Sequence, residues 1–173
     1  MAVVNSQTDT GFPPAVADAV KQAIDVTLAA ICGEKPVLQT GGEPPGCCAC
    51  VAAIISFIGD VSWSLSWALN EDTAPALINK FVGFEIPFDS PDMGDAVGEL
   101  VNVLAGDVVA QLEKRRIKVQ MSLPTVARGK ALELMPEKGT AVAQLDYTST
   151  QGSFWLRLMS AKGSQIRQRL PGT

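Results

Sequence analysis

The chain contains no histidine, and that absence excludes a good deal of chemistry. Ser-His-Asp and Cys-His nucleophile pairs cannot be assembled, nor can the histidine-ligated zinc sites that many hydrolases use. Neither a Walker loop nor a Rossmann glycine fingerprint is present. Charge is scarce: charged residues make up 18% of the chain, the net charge is −4, and no basic stripe offers the footprint a phosphodiester backbone needs. Nucleic acid is not an expected partner. No stretch approaches the roughly 20 apolar residues that span a bilayer. Met1 to Thr10 lacks the cationic start and apolar run of a signal peptide, so the expectation is a soluble, cytoplasmic protein with no membrane contact. The four cysteines, three of them in Cys47-Cys48-Ala49-Cys50, form no spaced disulfide framework. Any catalysis must rest on carboxylates, carboxamides, hydroxyls, amines or thiols.

What is present is enough apolar material, 47% of 173 residues, for one substantial core. Residues 1–14 read as a flexible lead, 15–160 as a single domain and 161–173 as a tail. A first helix starts near Ala15 after Pro13-Pro14 and stops at Gly33. Beyond a Gly- and Pro-rich turn, Cys48 to Ile58 and the alternating run Val61 to Trp67 predict a hairpin about Gly59-Asp60. Asn70 or Asp72 can cap a short helix that ends at Gly83. Asp92 to Leu112 is the strongest helix, with Val97, Leu100, Val101, Leu104, Val108 and Leu112 on one face. Strands follow at Ile117–Leu123, Lys130–Met135, Thr140–Tyr147 and Ser153–Ser160.

This order predicts an α/β (α+β) sandwich, with a mostly antiparallel sheet flanked by long helices rather than a doubly wound parallel one. An internal repeat adds symmetry. Ala19 to Val26 matches Ala96 to Val103 at a constant offset, with Asp18 and Asp95 preceding, and Trp63 to Leu65 corresponds more weakly to Phe154 to Leu156. A duplicated unit with approximate two-fold symmetry is expected.

Asp95, Glu99 and Asn102 are spaced i, i+4, i+7, so they fall within roughly 60° of one another on the helix. Burying the Leu104 and Val108 stripe turns that face outward, and Gly106 extends it with no side chain in the way of an approaching surface.

The pattern Asp95-x-x-x-Glu99-x-x-Asn102, followed by Pro124, resembles the signature of the CheC and CheX group of chemotaxis phosphatases. Gly98 to Asn102 with Ala105-Gly106, Gly59-Asp60-Val61 and Asn70 to Ala74 extend the likeness, which is nearest to the CheX type and covers about residues 15–160. It implies a CheC-like fold and hydrolysis of the aspartyl phosphate on a CheY-like response regulator. Asn102 would be inserted into the partner's site to orient the attacking water, and Glu99 would pair with the regulator's lysine. An amide suits this work, since it accepts through oxygen and donates through nitrogen without being a base. Mg2+ is expected in the regulator, and this chain is expected to bind no cofactor or metal. Asp95 would add a polar contact or support the helix start, and Pro124 would shape the neighbouring strand end.

In the first helix Gln22 and Asp25 stand at the matching positions. A carboxylate facing a phosphoryl group is repelled, so this copy is expected to be inactive, as the one-site CheX type implies. The likeness also suggests a homodimer joined edge to edge through its sheets, for which Val61 to Trp67 is a candidate. The competing reading is a non-catalytic module that docks on a response regulator or on a flagellar or chemosensory assembly. Cys47, Cys48 and Cys50 with Cys32 read as structural residues, with a metal site as the alternative.

Overall fold

The computed structural model describes residues 11–40 and 50–161. Helix α1 (Pro14–Cys32) leads through the short strand β1 (Val37–Gln39) to the hairpin β2 (Cys50–Gly59) and β3 (Trp63–Asn70). Helices α2 (Thr73–Val82) and α3 (Pro91–Lys114) follow, then β4 (Val119–Met121), β5 (Thr125–Gly129), β6 (Thr140–Ser149) and β7 (Gly152–Ala161). Every strand pairing is antiparallel, in the order β1-β6-β7-β3-β2-β4, with β5 also on β2.

The two halves are related by an exchange of strands. The first runs helix, one short strand, then a long hairpin, and the second runs helix, two short strands, then a long hairpin. In each the short strands leave their own hairpin to pair with the other one: β1 joins β6, while β4 and β5 join β2. β3 and β7 meet at the centre, with Ser66 opposite Arg157. Helices α1 and α3 begin at Pro14 and Pro91, the same offset that relates Ala19 to Ala96. Their burial agrees position by position from Val16 to Leu28 and from Met93 to Ala105, except that Lys21 is half-exposed and Gly98 buried. Two stacked ring pairs repeat as well, Phe57 on Trp63 at 4.2 Å and Tyr147 on Phe154 at 5.4 Å.

The caps explain the helix ends. Ser90 Oγ accepts from the Asp92 amide at 3.2 Å to start α3. Asn70, rather than Asp72, supplies the side-chain acceptor before α2, taking the amides of Asp72 and Thr73. Gly33 and Gly83 close α1 and α2 with φ of 79° and 84°, a conformation only glycine adopts without strain. The helices cover one sheet face. Val51, Ala53, Ile55 and Phe57 of β2, Trp63, Leu65, Trp67 and Leu69 of β3, and Phe154, Leu156 and Leu158 of β7 join their buried residues in a single core.

Four sequence expectations need correction. Lys130–Met135 is not a strand: β5 ends at Gly129 opposite Cys50, and beyond it no strand among the described residues pairs with the chain. Ala131 then turns it at φ 50°, and Arg157 Nη1 ties it down by donating to the Leu134 carbonyl at 2.8 Å. The expected strand Ile117–Leu123 is shortened to β4. Pro124 has no amide to continue the ladder, and pairing on β2 resumes at Thr125 with the register moved by one residue. Val61 to Trp67 cannot join a partner's sheet, because β3 is flanked on both sides by β2 and β7. Finally, residues 1–14 are not wholly a flexible lead, since Phe12 is buried edge-on against Trp63 at 6.1 Å. The Gly41 to Gly46 turn, Cys47, Cys48 and most of the expected tail lie outside the described residues.

Candidate active site

Met93, Ala96, Val97, Leu100, Val101, Leu104, Ala105 and Val108 are the buried side of α3. With that stripe fixed in the core, the helical period leaves Asp95, Glu99 and Gly106 exposed and Asn102 half-exposed. The four share one outward face, as the spacing requires. No ion pair engages Asp95 or Glu99 among the described residues.

Pro124 stands beside this face rather than on it. A side chain at Gly98 would meet Pro124 Cγ at 3.8 Å and Val126 Cγ2 at 3.5 Å, so the proline and the start of β5 pack directly onto the helix. Pro124, the residue before β5, thus packs with Val126 against α3. Arg128 secures the other end of β5: its Nη1 donates to the carbonyls of Phe88 at 2.6 Å and Ser90 at 2.7 Å, and its guanidinium lies 6.0 Å from the Phe88 ring centroid. Between β5 and the start of α3 runs a groove of about 400 Å³ lined by Pro91, Gly94, Asp95, Pro124, Val126 and Arg128.

Gly98 was read only as part of the family likeness, and neither Gly94 nor Arg128, which line the groove, was singled out in the sequence. The only sequence signal was a pair of glycines four apart inside a helix, which marks a close approach without naming what approaches. Val103, beside Asn102, is 44% exposed and adds an apolar surface to the same face.

The first helix presents Gln22 and Asp25 in the same way, one exposed and one half-exposed. Asp25 lies 3.8 Å from the Lys35 ammonium. Beneath it the Tyr147 hydroxyl is buried with no hydrogen-bond partner among the described residues, and burial, with the Asp25 charge second, pushes its pKa above the usual tyrosine range. Thr27 Oγ1 donates to Asp107 Oδ2 at 2.7 Å, linking α1 to α3. Among the described residues no cluster of cysteine and carboxylate side chains is arranged to hold a metal, with Cys32 and Cys50 free, and no helix is long and apolar enough to cross a membrane.

A family model described as chemotaxis phosphatase CheX matches residues 51–148. The chain belongs to this family. The CheX match takes in all of α3, with Glu99 and Asn102, and Pro124 as well, whereas α1 lies before it. Solved structures give the same fold. The chemotaxis protein CheX of Desulfovibrio desulfuricans is 21% identical with a TM-score of 0.71, over 83% of this chain and 97% of that one. CheX of Vibrio vulnificus is 16% identical with a TM-score of 0.71, over 83% and 97%. The CheX-CheY-BeF3-Mg2+ complex of Borrelia burgdorferi provides a third, 17% identical with a TM-score of 0.68, over 85% and 97%. No curated protein sequence matches the chain.

Proposed function

We propose that this CheX-family chain binds a phosphorylated CheY-like response regulator and hydrolyses its aspartyl phosphate, with Asn102 as the group that orients the attacking water. The observation that carries this reading is the outward placement of Glu99 and Asn102, one turn apart on a rigid helix whose opposite side is locked in the core. A structure of a family relative in complex with CheY and BeF3 lends support to the choice of partner.

The division of labour follows from the chemistry. Phosphoryl transfer needs little beyond positioning and charge neutralisation. The regulator's own Mg2+ and lysine would neutralise the transferring oxygens, so this chain is proposed to bind no metal. The Asn102 carboxamide would accept from the water through Oδ1 and donate through Nδ2, holding it in line with phosphorus. Glu99 would pair with the regulator's lysine and so set the depth of insertion. We further propose a homodimer joined at a sheet edge, which sedimentation at micromolar concentration would detect; of the described strands only β1 and the β4–β5 side lie at edges.

The test is to follow phosphate loss from a phosphorylated CheY-like regulator, with wild type, Asn102→Ala and Glu99→Ala. Wild type should shorten the phosphate lifetime, Asn102→Ala should lose that effect while still binding, and Glu99→Ala should lose both binding and rate. Binding without any change in lifetime would instead establish a docking module.

A further inference from the structure

We propose that the groove beside Asp95 is a docking slot for one lysine or arginine side chain of the phosphorylated response regulator, acting apart from the Glu99 and Asn102 pair. This rests on the phosphatase reading for its partner. It starts from a glycine that the fold does not need. Glycine inside a helix is less stable than alanine, because it gives up more backbone freedom. At Gly98 the close packing of Val126 and Pro124 accounts for it. At Gly94 a side chain's first carbon would meet only Val126 Cγ1, at 3.9 Å, which is ordinary contact. Packing tolerates alanine there. What the missing side chain does is leave open the groove of about 400 Å³ that Gly94 lines.

The lining specifies the occupant. Pro91, Gly94, Pro124 and Val126 offer apolar surface for a run of methylenes, and Asp95 offers an exposed carboxylate with no ion pair among the described residues. Lysine and arginine carry this combination, an apolar stem with a cationic head. The one cation in the lining, Arg128, already donates to two carbonyls, while exposed Asp89 and Asp92 sit on the adjoining loop and first turn, so carboxylates outnumber it. Asp95 precedes Asn102 by two helical turns, about 10 Å. A regulator seated with its phosphoryl group at Asn102 would lay neighbouring surface over the groove.

Two kinds of variant separate shape from charge: Gly94→Leu fills the groove, and Asp95→Asn and Asp95→Lys remove and reverse its charge. Affinity is measured with the beryllofluoride-loaded regulator and turnover with the phosphorylated one, each variant's folding being checked by thermal melting. Gly94→Leu and Asp95→Lys should weaken affinity about tenfold or more, and Asp95→Asn less, with the loss falling on KM rather than kcat. Asn102→Ala should do the reverse. A single Lys→Glu or Arg→Glu change on the regulator should restore binding to Asp95→Lys. Unchanged affinity in Gly94→Leu overturns the slot, and weakening by Gly94→Leu with none in Asp95→Asn or Asp95→Lys overturns its cationic occupant. If wild type binds the regulator but leaves its phosphate lifetime unchanged, the phosphatase reading fails while the affinity measurements still decide the groove.

Discussion

Asn102 and Asp25 occupy equivalent places on two helices and differ by one atom, an amide nitrogen against a carboxylate oxygen. Their surroundings differ by another: Phe57 lies where Tyr147 lies in the other half, so the Tyr147 hydroxyl, buried without a partner among the described residues, has no counterpart there. An unpartnered buried hydroxyl destabilises, so Tyr147→Phe should raise stability by about 1 kcal/mol in denaturant titration at neutral pH. The tyrosine also makes stability depend on pH, with a definite sign. In the unfolded chain it ionises near pH 10, whereas burial and the Asp25 charge raise its pKa in the fold. The unfolded state therefore loses the proton first, and the group's contribution is complete below about pH 10 and declines above it. Denaturant titrations at about pH 8 and about pH 11 should show a smaller decline in Tyr147→Phe than in wild type. At this scale the Glu99 and Asn102 face was legible, because a helix of known period with a clear apolar stripe fixes which side chains face out. The Tyr147 environment was not, since it depends on which strand lies beneath α1.

Helix α3 carries glycines on either side of the turn that holds Glu99 and Asn102, at Gly94 and Gly106, and neither is pressed by a neighbour. Each should therefore accept alanine with a gain of roughly 0.5–1 kcal/mol, visible as a higher melting temperature. At Gly106, on the same face as Asn102, that gain should come with weaker regulator binding. The helices were legible to within a residue or two because Pro14, Gly33, Gly83 and Pro91 mark their ends by backbone geometry alone. The short strands were not. β1, at three residues, is too short for a period-two pattern, and Lys130–Met135 is a largely apolar run between Gly129 and Pro136 that reads as a strand but pairs with no strand among the described residues.

The whole molecule is two similar units that have exchanged their short strands, with one working site proposed on α3. The offset between the helices was readable in the sequence, and so was the antiparallel sheet. The exchange was not, because the pairing of β1 with β6, and of β4 and β5 with β2, is a long-range choice that no local pattern encodes. If the first copy is inactive, Gln22→Ala and Asp25→Ala should leave the rate of regulator dephosphorylation within about twofold of wild type, surface changes of this kind having small effects. The decisive measurement is the lifetime of the aspartyl phosphate on a CheY-like regulator mixed with stoichiometric wild type or Asn102→Ala. Loss of a positioning group should cost the hydrolysis rate about 100-fold, with binding to the beryllofluoride-loaded regulator retained. Equal rates for the two proteins would contradict the role assigned to Asn102.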